Sequence, residues 1–219
     1  MALLLSQTDG FTLSLLWDDD EAVDHKRCSS PNLDPNKSEK SQDSLVKILK
    51  AGDTAGEIFL TFNAFMKIAV ASDERTPLTD GVVAELKTLG HDVILFGPLK
   101  GEPLSWPIAA QQLAEAVAEG TVDQGVLFCW TGTGATIAAN KVPGIRAALV
   151  RDAETAKGAK WWNDANVLVL SLRATSLAIA QEILQAWFSE QVKPEEKDCI
   201  AQLTAIEQKY SGNPAPPQP

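Results

Sequence analysis

The chain has 219 residues, of which 45% are hydrophobic and 22% are charged, and its formal net charge is -10. This balance is typical of a soluble α/β domain with extensions, and the acidic charge argues against nucleic acid or an anionic membrane as the main partner. With three scattered cysteines, two histidines and no apolar run of about 20 residues, we expect a cytoplasmic protein without a disulfide scaffold, a histidine-rich metal site or a membrane span.

The character of the sequence changes near residue 66. Residues 17–44 are polar, charged and without period, which indicates loosely attached chain. We therefore predict an N-terminal extension over residues 1–65, a domain over 66–210 and a proline-rich tail over 211–219. The extension is either a genuine appendage or upstream sequence read as protein, because Met66 directly precedes the first predicted strand.

From residue 66 onward, short apolar runs alternate with helical stretches. The runs predict strands at 67–72, 92–97, 125–130, 145–150 and 166–172. The stretches between and after them predict helices at 77–89, 108–119, 134–140, 152–161, 174–189 and 195–210. Thr76 and Pro77 are typical of the start of the first helix, and Gly90 of its end. The apolar runs lack strict alternation, which favours strands covered on both faces.

This alternation predicts a doubly wound α/β fold, a Rossmann-like three-layer sandwich with a five-stranded parallel sheet in the order 2-1-3-4-5. In that order the first and third strands are neighbours at a topological switch point, where such folds bind ligands. The residues that follow those two strands are SDERT (72–76) and CWTGTG (129–134). A ligand site is therefore predicted between these two segments.

Cys129 lies at the mouth of the glycine-rich turn. A thiol beside the positive end of a helix has an increased thiolate fraction. The N–H groups of Gly132, Thr133 and Gly134 could face a developing oxyanion. The Thr131 hydroxyl could shuttle a proton. On the residues alone, the commoner interpretation is a small buried hydrophobe at the end of a strand.

The sequence resembles the ribose-5-phosphate isomerase B / galactose-6-phosphate isomerase family over about residues 66–210, in MKIAVASDE, GTVDQGVLFCWTGTGATIAANKVPGIRAALV, WWNDANVLVLSLR and LTAIEQKY. The resemblance implies an aldose–ketose isomerase of a sugar or sugar phosphate, working without metal or cofactor by proton transfer through an enediolate. It implies that Cys129 is the base, that Thr131 and Asn163 are catalytic, and that a homodimer or tetramer shares the site. The substrate-binding positions that it implies are Asp73, Glu74, Trp106, Trp130, Gly132, Thr133, Gly134, Trp162 and Arg173.

The sequence departs from the family at positions that handle the sugar phosphate. Glu74 and Trp162 stand where the family has histidines, the second of which is credited with opening the sugar ring. Trp130 replaces a glycine and Trp106 a tyrosine. Acidic or neutral side chains replace the family's phosphate-gripping arginine and histidine near the C-terminus: Glu195, Glu196 and Cys199. Because carboxylates repel phosphate, we hypothesise a divergent member acting on an unphosphorylated or differently charged sugar.

Several alternatives stay open at this point. A non-catalytic sugar- or metabolite-binding protein on the same scaffold would use the tryptophans as stacking surfaces, although they could equally fill a core or an interface. A nucleotide-binding module is less favoured, because the glycine turn follows the third strand and lacks the lysine-serine/threonine ending of a P-loop. Asn140 and Asp164 are either ligand-binding or turn-forming, and Arg146 could be structural.

Overall fold

The computed structural model describes residues 65–211, within which five strands alternate with six α-helices. The strands are β1 (Lys67–Ser72), β2 (Asp92–Phe96), β3 (Gln124–Cys129), β4 (Ala147–Leu149) and β5 (Val167–Ser171). The helices are α1 (Pro77–Thr88), α2 (Trp106–Ala118), α3 (Thr133–Ala139), α4 (Ala153–Asn163), α5 (Leu177–Ser189) and α6 (Lys197–Tyr210). The elements predicted from residue 66 to 210 are confirmed, whereas the predictions for residues 1–64 and 212–219 lie outside the described residues.

The sheet is five-stranded and its pairings are parallel, as predicted, but its order is β2-β1-β3-β5-β4. The predicted order 2-1-3-4-5 is therefore wrong for the last two strands. Burial gives the physical reason. The five residues of β5 are all buried, which is typical of a central strand, whereas the three residues of β4 are half-buried or exposed. A short strand of this kind belongs at an edge.

Two apolar layers enclose the sheet, which confirms the three-layer sandwich. One layer packs α1, α4 and α5 against Ile68, Val70, Phe128 and other even-numbered residues of the central strands. The other packs α2 and α3 against odd-numbered residues that include Ala69, Leu127 and Val169. In β1, β3 and β5, even-numbered residues therefore face α1, α4 and α5, and odd-numbered residues face α2 and α3. Cys129 lies on the α2–α3 face.

The ends of α1 follow the predicted signals. Thr76 accepts a hydrogen bond from the Thr79 N–H while Thr79 accepts one from the Thr76 N–H, so the two residues form a reciprocal cap. Gly90 follows the helix with a φ of 88°, a conformation that a side chain would disfavour. The cap at Thr76 and the turn at Gly90 therefore set where α1 begins and ends in the connection between β1 and β2.

Helix α6 differs from the other helices because none of its residues is buried. Its apolar side chains Leu203, Ile206 and Tyr210 are 46%, 56% and 60% exposed. The helix is attached through Glu207, whose carboxylate accepts the Gly144 N–H at 2.9 and 3.1 Å. The apolar side of α6 is therefore not covered by any part of the chain that the structure describes.

His91 is expected to make the stability of the fold depend on pH. The residue is 5% exposed, packs on Phe188 with the ring centroids 4.6 Å apart, and finds no hydrogen-bond partner for either ring nitrogen among residues 65–211. Burial lowers its pKa because the charged ring loses water. The imidazole is thus neutral in the folded state at a pH where the unfolded chain already binds a proton.

The contribution of His91 is complete above the unfolded pKa of about 6.5 and is lost as pH falls toward the lower folded pKa. We expect the free energy of unfolding to fall between pH 7.5 and pH 5.5 by at most about 1.4 kcal/mol per pH unit from this group. Urea titrations of wild type and His91→Leu at both pH values measure it. Equal pH differences in the two proteins would contradict the prediction, because their other titrating groups are the same.

Candidate functional site

Cys129 ends the central strand β3 and is 7% exposed. The sheet register pairs Ser72 with Phe128 on one side and Ser171 with Cys129 on the other. Asp73, which follows Ser72, is therefore brought next to Cys129 at the carboxyl edge of the sheet. The structure thus brings together the two segments between which the sequence predicts a ligand site.

Gly132 allows the chain to turn sharply after Cys129. Its φ is 79°, and a Cβ at this position would overlap the side chain of Leu149. Its carbonyl accepts hydrogen bonds from both the N–H and the hydroxyl of Thr136, at 3.0 and 2.8 Å, which begins α3 directly after the turn. The first N–H groups of a helix have no partner within it, so those of Thr133 and Gly134 are available at this end.

The turn is tied to the end of β5 by three hydrogen bonds. The Leu172 N–H donates to the Cys129 carbonyl at 3.0 Å. The carbonyl of Trp130 accepts both the Arg173 N–H, at 3.1 Å, and the Ser171 hydroxyl, at 2.9 Å. The position of the cysteine is thus set by the neighbouring strand as well as by its own.

The carboxylate of Asp73 is half-buried, and its Oδ1 is buried without a hydrogen-bond partner among residues 65–211. A buried acceptor normally has a donor, so this oxygen is placed for a donor that comes from outside residues 65–211. Glu74 is exposed, and its N–H donates to the Ser72 hydroxyl at 3.1 Å. Of the two carboxylates, Asp73 is therefore the one directed into the protein surface beside Cys129.

Two hydroxyls and two indoles surround the turn. The hydroxyls of Thr131 and Thr133 are 2.8 Å apart, and both residues are exposed. The ring of Trp106 covers Gly134, since a Cβ there would lie 3.1 Å from it. Trp130 is 57% exposed beside the cysteine. The turn is therefore bordered by two threonine hydroxyls and by two indole rings.

Arg173 lies two residues after β5 at the same edge of the sheet. Its side chain is exposed, and the structure gives its guanidinium no ion pair within residues 65–211. Because its N–H is bonded to Trp130, its backbone is held against the Cys129 turn. It is a cation at the place where the sequence predicts substrate binding.

Asn163 and Trp162 are not brought to Cys129 within one chain. They end α4, which leads into the first residue of β5, and Val167 pairs with Gly125 at the amino edge of the sheet. Cys129 pairs with Ser171, four residues further along, so at about 3.3 Å per residue the two edges lie about 13 Å apart. Trp162 instead packs on Gly158, one helical turn away.

The acidic residues near the C-terminus also lie close to α4, the helix that carries Trp162 and Asn163. Glu195 and Glu196 lie in a short 3-10 turn that contacts α4. The connection is held by Trp161, whose carbonyl accepts the Lys193 N–H at 2.9 Å and whose ring lies 4.3 Å from the Lys193 ammonium. Trp161 also donates its ring N–H to Glu190. Trp106 and Trp130 therefore lie at the Cys129 turn, whereas Trp161 and Trp162 lie at the end of α4, where Trp161 has a structural role.

Three polar residues that the sequence left open have structural roles here. Asn140 bonds both the N–H and the carbonyl of Ala147, at 2.8 and 2.9 Å. Arg146 forms a 2.7 Å ion pair with Asp164, which ends α4 in a left-handed conformation with a φ of 45°. These contacts build the turns before β4 and β5.

Sequence reasoning missed two residues of the site, Ser171 and Leu149. Both act across strands, Ser171 on the Trp130 carbonyl and Leu149 on the Cα of Gly132. The only signal for Ser171 was a hydroxyl at the end of an otherwise apolar run. Within residues 65–211 there is neither a cluster of three metal-binding side chains nor a helix long and apolar enough to cross a bilayer.

Comparison with known proteins shows which family the sequence matches. Residues 68–203 match the sequence profile of the Ribose/Galactose Isomerase family. The chain is 40% identical over 129 residues to ribose-5-phosphate isomerase B of Escherichia coli strain K12, covering 58% of this chain and 87% of the relative. It is 39% identical over 130 residues to galactose-6-phosphate isomerase subunit LacB of Clostridium acetobutylicum, covering 59% of this chain and 75% of the relative.

A solved structure is also similar. Ribose-5-phosphate isomerase B of Clostridium thermocellum superposes with a TM-score of 0.63 at 37% identity, over 66% of this chain and 99% of that one. The profile match covers more than half of the chain and includes every residue that the sequence predicts to be in the site. The protein therefore belongs to the ribose/galactose isomerase family.

Proposed function

We propose that the protein is an aldose–ketose isomerase of a sugar or sugar phosphate, with Cys129 as the base that moves a proton through an enediolate. The observation that carries the proposal is that Cys129 and Asp73 lie at the ends of adjacent strands, and that the Oδ1 of Asp73 is buried without a hydrogen-bond partner among residues 65–211. An acceptor of this kind suits a sugar hydroxyl. Family membership supports the reaction class.

The proposed reaction moves protons and needs no oxidant or cofactor. The Cys129 thiolate removes the proton from C2 of the open-chain aldose, and the electron pair shifts onto the carbonyl oxygen at C1 to give the enediolate. Its charge is stabilised by N–H groups at the turn, those of Thr133 and Gly134. The proton then passes to C1, while the Thr131 hydroxyl moves a proton between the two substrate oxygens. The product is the ketose, and the thiolate is restored.

The remaining substrate contacts follow from the residues around the turn. Asp73 accepts a hydroxyl of the sugar, and the Trp106 and Trp130 faces cover the carbon chain. The Arg173 guanidinium is the cation available to an anionic end of the substrate, and Glu74 borders that end with a negative charge. Gly132 permits the turn that presents these groups together.

We also propose that the site is completed in a homodimer or higher oligomer, with Trp162 and Asn163 of one copy facing Cys129 of another. Both residues lie at the opposite edge of the sheet from Cys129 in their own chain. The uncovered side of α6 supports association, since Leu203 and Arg146 line two neighbouring grooves with volumes of about 760 and 740 Å³. Neither groove is lined by Cys129 of its own chain, and the second is lined by Trp162 and Asn163, so this second groove is the surface that would face the Cys129 turn of the other copy.

A second candidate function is supported by the substituted positions. Glu195 and Glu196 lie in a 3-10 turn that contacts α4, the helix that carries Trp162, and the resemblance implies basic residues and a ring-opening histidine at these positions. Carboxylates there disfavour a phosphate dianion. This favours either an isomerase with altered specificity or a non-catalytic protein that binds a sugar or metabolite.

A substrate comparison tests these candidates. We expect aldose-to-ketose conversion with at least one of ribose 5-phosphate, galactose 6-phosphate, free ribose and free galactose, measured by the ketose formed. Turnover of free sugars above that of their phosphates would establish the altered specificity, and ordinary turnover of ribose 5-phosphate would exclude it. If none is converted while tryptophan fluorescence is quenched by a sugar in both wild type and Cys129→Ala, the non-catalytic binding protein is correct.

A further inference from the structure

Ser171 ends β5 in register with Cys129 at the end of β3. Both have odd numbers and continue rows of residues that pack on α2 and α3, namely Val167 and Val169 in β5 and Leu127 in β3. Side chains paired in this way on neighbouring strands lie about 5 Å apart. Ser171 is thus the residue of β5 that lies beside Cys129 on the same face of the sheet, and it is 9% exposed.

The hydroxyl of Ser171 donates its hydrogen to the carbonyl of Trp130 at 2.9 Å. The carbonyl of Trp130 and the N–H of Thr131 belong to the same peptide unit, which is planar and trans. When the carbonyl is held toward β5, the N–H of Thr131 must point away from β5. Ser171 therefore fixes the rotation of the peptide that immediately follows the cysteine.

Within residues 65–211, no other side chain donates a hydrogen bond to the Trp130 carbonyl. The second donor to the Trp130 carbonyl is the backbone N–H of Arg173, which any residue at that position would supply. A substitution at Ser171 can therefore remove one of the two donors without changing the strand. The exposed indole of Trp130 gives the turn little packing of its own, since 57% of the residue is in contact with solvent.

We propose that Ser171 is a positioning residue for the proton transfer, because it holds the Trp130–Thr131 peptide and with it the approach to the Cys129 thiol. The inference rests on the proposed function for its kinetic consequence, whereas its effect on the thiol stands without it. Loss of the hydroxyl leaves the Trp130 carbonyl with one donor within residues 65–211, the Arg173 N–H, so the peptide after the cysteine is held less tightly. The reaction then slows while substrate contacts at Asp73 and Arg173 are kept.

The test compares Ser171→Ala and Ser171→Gly, which lack the hydroxyl, with Ser171→Thr, which keeps it. We expect kcat to fall about tenfold in the first two, as for the loss of one hydrogen bond, with KM within about twofold of wild type. Ser171→Thr restores kcat at least in part. Ser189→Ala is the matched control, because its hydroxyl also donates to a backbone carbonyl, that of Ala186 at 3.1 Å, but at the end of α5.

A second readout separates positioning from folding and from the proposed reaction. The time course of Cys129 alkylation by iodoacetamide is measured at a fixed pH by peptide mass spectrometry, and this alkylation profile changes in Ser171→Ala but not in Ser189→Ala. A fall in kcat or in thermal stability with an unchanged alkylation profile would overturn the inference, as would wild-type behaviour in both readouts. If Cys129→Ser retains activity, the proposed base is wrong, and the alkylation profile alone decides whether Ser171 positions the thiol.

Discussion

Replacing Cys129 with serine is expected to lower kcat for the isomerised sugar about 1,000-fold, the scale of a lost general base. A hydroxyl is a much weaker acid than a thiol, so it holds almost no conjugate base at neutral pH. The change is nearly isosteric, and the residue is 7% exposed at the end of a strand, so the circular dichroism spectrum and melting temperature should remain close to wild type. Initial rates of ketose formation measure the loss.

Cys28→Ser is the control for this measurement. Cys28 lies outside residues 68–203, the part of the chain that matches the family, so its loss should leave the rate within about twofold of wild type. A Cys129→Ser protein that folds normally and retains more than a tenth of the wild-type rate would show that another group is the base.

Mixed dimers of two inactive variants are expected to recover activity. Cys129→Ala removes the base at one edge of the sheet, and Asn163→Ala removes the amide at the other, about 13 Å away along the strands. If sites are shared across an isologous interface, a dimer with one copy of each variant contains one intact site and one site that lacks both groups. Its rate should be about half that of wild type. Co-expression with two different affinity tags isolates the mixed dimers for assay.

The control places both substitutions in one chain and pairs it with a wild-type chain. In a shared site each half of this dimer lacks one group, so it should be inactive. The opposite pattern, an inactive dimer of the two single variants and a half-active dimer of wild type with the double variant, would show that Cys129 and Asn163 act in the same copy. A protein that sediments as a monomer at assay concentration while active would also exclude the shared site.

Local sequence patterns were sufficient to predict the elements of the domain. Apolar runs located β1, β3 and β5, and the cap formed by Thr76 located the start of α1. These patterns did not predict the order of the strands in the sheet, because the periodicity of one strand does not identify the strand beside it. A clue was nevertheless present, since β5 reads VLVLS without a polar interruption before its last residue, and β4 is a short AAL after an arginine.

The candidate site was predictable where its residues are close in sequence. Cys129, the turn at Gly132 and the hydroxyls beside it lie within a few residues, so a single motif identifies them. Asn163 is different, because the topology places a residue just before a strand at the amino edge of a parallel sheet, far from the carboxyl edge. The resemblance placed Cys129 and Asn163 in one site. It does not state which copy of an oligomer supplies each residue. Ser171 was missed because its role depends on register, which only the folded sheet determines.

The hydrogen bonds of Asn140 have a consequence for how copies of the chain can meet. Ala147 lies in β4, at the edge of the sheet, and its N–H and carbonyl point away from β5 toward the Asn140 amide. The Asn140 amide occupies the N–H and the carbonyl of Ala147, with which an incoming strand would form hydrogen bonds, and so prevents pairing of another strand there. Growth of the sheet from one molecule into the next is blocked at this residue. At this edge of the sheet, contacts between copies are then left to side chains rather than to backbone pairing at Ala147.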